Sequence, residues 1–167
     1  LTSQETFPSA CVARMALITG GEEETLADAD ADITLPSTIM AGDQIAMHVL
    51  PRDMHGNRTA WLGGERIAVH ARGPIEIPFL PQESVGSFSA TITCAGAYSI
   101  AALVGDCACA GWPRILQVVA GPCNPDKCTV SGDALGNCST AQPISLMMQA
   151  TDEFGNPRSM GGDLIEA

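Results

Sequence analysis

The chain has 167 residues, enough for one substantial domain or for one small sandwich and part of another. Its formal charge of -11 opposes binding to nucleic acid or to an anionic membrane surface, because both are negatively charged. No apolar run approaches the ~18 residues needed to cross a bilayer, so we expect this segment to be soluble. With 17 Gly, 11 Pro and few aromatic residues, the composition favours short strands separated by turns over long helices.

Short runs in which apolar and polar residues alternate follow one another along the chain. Alternation places every second side chain on one face, as a half-buried strand requires. Seven strands are predicted, at residues 12–17, 45–49, 67–69, 75–79, 88–92, 98–104 and 115–119. Seven is the number in a constant-type immunoglobulin sandwich. The single tyrosine, Tyr98, opens the sixth strand, where such a sandwich often has a corner tyrosine.

An acidic insertion, GGEEETLADADAD at residues 20–32, lies between the first two predicted strands. Its repelling carboxylates predict a solvated, mobile loop. Asp28, Asp30 and Asp32 have the spacing that begins a calcium loop. Ile33 and Ile39 then stand where an EF-hand needs Gly and Glu, which excludes that motif. A diffuse calcium contact in this insertion stays open as an alternative.

An internal repeat starts at Ile45 and recurs 99 residues later at Ile144, in the same apolar phase. The matching sequences are IAMHVLPRDMHGNRTAWLGGERIA and ISLMMQATDEFGNPRSMGGDLIEA. Both contain Asp-x-x-Gly-Asn, formed by Asp53, Gly56 and Asn57 and again by Asp152, Gly155 and Asn156. This pattern predicts a tight turn, because Asp caps its own turn and Gly and Asn tolerate positive φ. A period near one hundred residues is that of a whole sandwich domain.

Three motifs together resemble the filamin (actin-binding-protein-280) type of immunoglobulin-like repeat. They are DEFGNP at 152–157 with GGD at 161–163, GSFSA at 86–90 followed by AGAYSI at 95–100, and GWP at 111–113. The resemblance implies an all-β, immunoglobulin-like β-sandwich, with one complete repeat and the first half of a second. We therefore expect a lead-in at 1–8, a first copy at 9–120 that contains the insertion 20–32, and a truncated second copy at 121–167.

Repeats of this type imply a non-enzymatic structural or adhesive module. They occur in cell-surface proteins, including gamete adhesion proteins of plants and green algae, and in intracellular cytoskeletal scaffolds that bind partner peptides at a sheet edge. The apolar face of Ile144, Leu146 and Met148 has no opposing sheet in the second copy. We therefore expect neighbouring repeats or other protein chains as partners, including a homo-oligomer or filament.

Seven cysteines are many for a chain of this length and favour an oxidising compartment. They are Cys11, Cys94, Cys107, Cys109, Cys123, Cys128 and Cys138. Disulfides are favoured over zinc because two well-formed Cys knuckles are missing, although zinc stays an alternative. The spacing does not reveal the connectivity. A Cys107–Cys109 bond is disfavoured because residues two apart in an extended chain are too far apart.

Two sequons, Asn57-Arg58-Thr59 and Asn137-Cys138-Ser139, mark glycosylation candidates. Together with the cysteines they predict an extracellular or cell-surface location, with the cytoplasm or cytoskeleton as the alternative.

No catalytic motif is present, and no acid or nucleophile stands beside a histidine in the sequence. His48, His55 and His70 are each expected to be solvated or packed. The sequence therefore predicts no enzyme, no metal site and no cofactor.

Overall fold

The structure is a computed structural model that describes residues 6–18, 37–136, 140–141 and 143–162. The strands are β1 (Val12–Ile18), β2 (Thr38–Met40), β3 (Gln44–Leu50), β4 (Ile67–Arg72), β5 (Glu76–Pro78), β6 (Leu80–Pro81), β7 (Ser87–Thr91), β8 (Gly96–Val104), β9 (Cys107–Ala108), β10 (Arg114–Val119), β11 (Thr129–Ser131) and β12 (Met147–Gln149). Short 3-10 helices form at Pro8–Ala10, Pro125–Lys127 and Asp133–Leu135. The acidic insertion 20–32, Asn137, Cys138 and residues 163–167 lie outside the described residues.

Two sheets form the body of the first copy. Within the described residues, one sheet has the order β1-β3-β7-β6 and the other the order β2-β10-β8-β4-β5, with β9 added to β8. Neighbouring strands run antiparallel except β2, which runs parallel to β10. This confirms the predicted all-β, immunoglobulin-like β-sandwich.

Alternating aliphatic side chains fill the space between the sheets. Ile45, Met47 and Val49 of β3 are buried from one side, and Ile100 and Ala102 of β8 from the other. Fully burying one such aliphatic side chain contributes about 1.5–3 kcal/mol. The core is therefore mainly aliphatic, and its aromatic members are Phe79, Phe88, Tyr98 and Trp112.

Tyr98 anchors the start of β8 from inside the core. Its hydroxyl donates to the carbonyl oxygen of Cys94 at 3.0 Å, four residues upstream, which is the expected corner-tyrosine contact. Burial raises the pKa of Tyr98, and the neighbouring Cys94 raises it further. Gly73 makes room for the ring, since a Cβ at this position would lie 2.6 Å from the Tyr98 Cδ1 atom.

The strand predicted at residues 75–79 is present as β5, which pairs with β4. A further short strand that was not predicted, β6, follows it and pairs with β7 in the other sheet. Pro78 and Pro81 lack the amide hydrogen needed to continue a ladder, so the chain leaves one sheet and enters the other around Phe79. The Phe79 amide still donates to the carbonyl of Val69 at 3.4 Å.

β2 is not among the seven predicted strands, because three residues are too few to show alternation and its partner β10 is distant in sequence. In the second copy, β11 begins at Thr129, directly after the 3-10 helix Pro125–Lys127. Its partner β12 is limited to Met147–Gln149, although the apolar alternation of the repeat starts at Ile144.

Candidate interface between the two copies

The Asp-x-x-Gly-Asn turn of the first copy is closed by its own aspartate. Asp53 Oδ1 accepts hydrogen bonds from the backbone amides of His55 and Asn57, both at 2.9 Å. Asn57 Nδ2 donates to Asp53 Oδ2 at 3.0 Å, and Gly56 takes the positive φ of 80° that the turn needs. The bond from the Asn57 side chain is the largest cause of the lowered pKa of Asp53.

The second copy repeats the same turn bond for bond. Asp152 Oδ1 accepts from the amides of Phe154 at 3.0 Å and Asn156 at 2.8 Å, and Asn156 Nδ2 donates to Asp152 Oδ2 at 2.8 Å. Gly155 has a φ of 85°. Equal sequence patterns thus give equal local structures, as turn chemistry predicts.

The lead-in segments also match, which the sequence analysis missed. FPSAC at residues 7–11 and NPDKC at 124–128 each contain a 3-10 helix before a first strand. The matching backbone bonds run from the Phe7 amide to the Arg52 carbonyl at 3.0 Å and from the Asn124 amide to the Thr151 carbonyl at 2.8 Å. The shared Pro-x-x-Cys pattern was the available signal.

The two turns differ because the Asn156 side chain makes two further hydrogen bonds outside its own turn. Asn156 Oδ1 accepts from the Ala95 amide at 2.9 Å, and its Nδ2 also donates to the Thr93 carbonyl at 2.8 Å. These two partners lie in the loop between β7 and β8 of the first copy. Asn156 is 7% exposed, whereas its counterpart Asn57 is exposed to solvent. Asn156 therefore fastens the second copy to the first.

Asp152 makes a further bond to the segment that follows β10. Its Oδ2 accepts from the Gly121 amide at 2.9 Å, and the residue is 1% exposed. Burial by itself would raise the pKa of Asp152, but the bonds from Asn156, Gly121 and Phe154 outweigh it and hold the pKa below its usual value. The carboxylate is therefore held ionised at the junction.

Phe154 packs against the first copy beside these hydrogen bonds. A Cβ built on Gly42 would lie 2.7 Å from Phe154 Cε2, so the ring needs a glycine at this position. Cys123 and Asn124 line the same shallow cleft as Gly42 and Phe154. The counterpart of Phe154 in the first copy is the exposed His55. The interface thus combines polar bonds with one aromatic contact.

Within the described residues of the second copy, the apolar face is exposed to solvent. β11 and β12 pair only over Thr129–Ser131 with Met147–Gln149 among the described residues. Ile144 is 58% exposed, Leu146 60% and Met148 47%. The apolar face predicted to need an opposing sheet is therefore uncovered.

The fold brings four cysteines together as two pairs. The Ala110 amide donates to the Cys11 carbonyl at 3.0 Å, which places the buried Cys11 and Cys109 on adjacent segments. Burial, and next the charge of Cys11, raise the pKa of Cys109 to about 11. Cys123 and Cys128 have their Sγ atoms 3.4 Å apart. Cys94 is half-buried, Cys107 is exposed, and the predicted disulfides stay a prediction.

The histidines and acidic residues that the structure describes do not form a common site. His48 Nδ1 lies 3.0 Å from Ser87 Oγ, and His70 is half-buried in β4. In residues 6–18, 37–136, 140–141 and 143–162, no group of three or more His, Cys, Asp or Glu residues is arranged to hold a metal ion. In the same ranges, no helix is long and apolar enough to cross a membrane.

Three solved structures share this architecture at low sequence identity. The filamin domain of Lin-41 is 16% identical, with a TM-score of 0.43 over 68% of this chain and 95% of that one. The Escherichia coli adhesin FdeC is 16% identical, with a TM-score of 0.50 over 93% of this chain and 44% of that one. Invasin, a bacterial integrin-binding protein, is 15% identical, with a TM-score of 0.47 over 88% of this chain and 27% of that one.

No protein-family model and no curated protein matches the chain. It spans less than half the length of the adhesin and invasin chains. The likeness to the adhesin agrees with the two-sheet topology: the chain is an immunoglobulin-like β-sandwich.

Proposed function

We propose that this chain is a non-enzymatic structural or adhesive module of a larger multi-repeat protein, in which successive repeats are held end to end. The observation that carries this proposal is the Asn156 side chain, which bonds to Ala95 and Thr93 of the preceding copy. Its fold is also that of a bacterial adhesin. Neighbouring repeats and other protein chains are the proposed partners.

The junction is suited to fixing the angle between repeats. Asn156 makes two hydrogen bonds to the preceding copy, with Ala95 and Thr93. Asp152 makes a third, with Gly121 in the linker, the segment between β10 and the 3-10 helix Pro125–Lys127. Each contributes about 0.5–1.5 kcal/mol net, and a buried group left unpaired costs about 1–3 kcal/mol. Pro122 and Pro125 further restrict the linker. A module with such a junction transmits orientation along an array.

An extracellular or cell-surface location is part of the proposal. Two pairs of neighbouring thiols and an exposed Asn57 within a sequon support it. The measurement that checks it is alkylation of native protein before reduction. Blocked thiols are expected, whereas labelling of six or seven would favour an intracellular location.

An intracellular scaffold is the second candidate, and one feature of the sandwich favours it. Among the described residues, β5 pairs with His70–Arg72 of β4 and Phe79 bonds to Val69, but this pairing does not extend to Ile67 and Ala68. A cleft lined by Ile67, Phe79 and Val85 runs beside this part of the edge. An extended partner peptide would add a strand there.

The junction is tested by amide exchange in the intact chain, followed by nuclear magnetic resonance. Asn156→Ala removes the acceptor for the Ala95 amide, so exchange at Ala95 is expected to speed up about tenfold, the equivalent of one hydrogen bond. Asn57→Ala is the matched control, because it removes the turn bond without touching the junction. Equal exchange at Ala95 in both variants would remove the support for end-to-end coupling.

A further inference from the structure

We propose that Cys123 and Cys128 form a disulfide that clamps the linker at the start of the second copy. This inference rests on the proposed function, because it concerns the stiffness of the junction between repeats. The spacing of the seven cysteines in the sequence does not reveal which of them pair. In the folded chain, the distance between the Cys123 and Cys128 sulfurs indicates this pair.

The local fold places the two thiols side by side. Their Sγ atoms are 3.4 Å apart, and both residues are half-buried. The 3-10 helix Pro125–Lys127 between them turns the chain back on itself, and Asn124 caps it by accepting from the Asp126 amide at 3.0 Å. A disulfide needs about 2 Å between sulfurs, so a small side-chain rotation closes the gap.

The first copy contains an equivalent of Cys128, and this equivalent also lies near a second cysteine. Cys11 Sγ donates to the Phe7 carbonyl at 3.3 Å, and Cys128 Sγ donates to the Asn124 carbonyl at 3.2 Å, so the two cysteines are equivalent. In the first copy, the segment bonded to that of Cys11 carries Cys109, which follows β9. In the second copy, the thiol beside Cys128 is that of Cys123. In the first copy, Thr6 occupies the position that corresponds to Cys123.

The reaction is a thiol–disulfide exchange with a small-molecule disulfide such as oxidised glutathione. One protein thiolate attacks a sulfur of that disulfide and releases one small thiol, which leaves a mixed disulfide. The second protein thiolate attacks the protein sulfur of this intermediate and releases the other small thiol. Two protein thiols are oxidised, one external disulfide is reduced, and the two protons leave with the two small thiols.

The proposed disulfide lies where the two copies are in contact. Cys123 and Phe154 line the same cleft, and the Asn124 amide donates to the Thr151 carbonyl just before the turn. The disulfide ties both ends of the 3-10 helix that carries this bond. Because the closed loop is short, the effect on global stability is small and the effect on linker order is the larger one.

Tryptic mapping of the intact chain tests the pairing. Cleavage after Lys127 separates the two cysteines, so Cys123 falls in peptide 115–127 and Cys128 in peptide 128–158. The second peptide also holds Cys138, and a Cys138→Ser variant makes the assignment unique. After equilibration in oxidised and reduced glutathione and alkylation, a linked 115–127 and 128–158 pair is expected, and reduction should separate it.

Two outcomes would overturn the pairing: alkylation of both cysteines, or linkage of either one to peptide 1–14 or 73–114, which carry the other described thiols. Exchange at Ala95 in a Cys123→Ser variant separates this inference from the proposed function. Unchanged protection there leaves the junction intact whatever the thiols do. Faster exchange at the Asn124 amide in the Ser variant is expected if the disulfide orders the linker.

Discussion

Asn57 and Asn156 occupy the same corner of the same turn, yet Asn156 is buried against Ala95 and Thr93 while Asn57 faces solvent. The residues that follow differ as well. Thr59 completes a sequon after Asn57, whereas Asn156 is followed by Pro157 and Arg158 and is not part of a sequon. One turn design therefore serves a junction in one copy and an open surface in the other.

Asn57 is expected to accept an N-linked glycan when the chain passes through a eukaryotic secretory pathway. An exposed turn has room for the sugar, and a Cβ placed on the neighbouring Gly56 would meet no atom within 4 Å. Intact-mass measurement before and after enzymatic deglycosylation checks this. Asn57→Gln should lose one glycan and Asn156→Gln none. An unchanged glycan mass in Asn57→Gln would contradict the expectation.

Acid is expected to weaken the junction through Asp152. Its folded pKa lies below its ordinary value, so its stabilising effect is present above the ordinary pKa, near 4, and is lost as pH falls through the folded pKa. Asp152→Asn should therefore destabilise the chain at pH 7 by about 1–3 kcal/mol, the cost of unpaired buried donors. Thermal unfolding at pH 7 and pH 3 should show this difference shrinking at the lower pH.

Asp53→Asn is the control for that measurement, because Asp53 closes the equivalent turn without contacting the other copy. Its pKa is also lowered, so it reports the contribution of the turn itself. If the Asp152 and Asp53 variants were destabilised equally at pH 7 and lost this difference equally at pH 3, the acid effect would belong to turns in general and not to the junction.

The thiols of Cys107 and Cys109 are expected to react at very different rates in the reduced, folded chain. Cys107 is exposed, whereas Cys109 is buried and its pKa is raised to about 11. At pH 8 only a small fraction of Cys109 is thiolate, and thiolate is the reactive form. Timed alkylation with fragmentation of peptide 73–114 should show Cys107 labelled first. Comparable rates would mean that β9 opens frequently.

Tyr98→Phe is expected to lower stability by about 0.5–1.5 kcal/mol, because it removes the bond to the Cys94 carbonyl and keeps the ring. Gly73→Ala should cost more, since the new methyl group would meet the Tyr98 ring and the Ala97 carbonyl oxygen at under 3 Å. Chemical denaturation measures both variants. A neutral Tyr98→Phe would show that the corner contact adds nothing beyond packing.

Alternation in the sequence was sufficient for the long central strands, because β3 and β8 bury every second side chain against the opposite sheet. It was insufficient for β2, which owes its place to parallel pairing with β10. The contact of Asn156 with the first copy could not be predicted from alternation either. Its sequence context predicts the turn, but its partners Thr93 and Ala95 are about sixty residues away and are reached only after folding.

The parallel pairing of β2 with β10 connects the chain after the acidic insertion to the strand that leads into the junction. Gln117, Val118 and Val119 lie beside Thr38, Ile39 and Met40 with both strands pointing the same way. The Ala41 amide then donates to the Val119 carbonyl at 2.8 Å, and Gly121, two residues further on, donates its amide hydrogen to Asp152. One continuous stretch of backbone therefore carries both the parallel pair and a hydrogen bond of the junction.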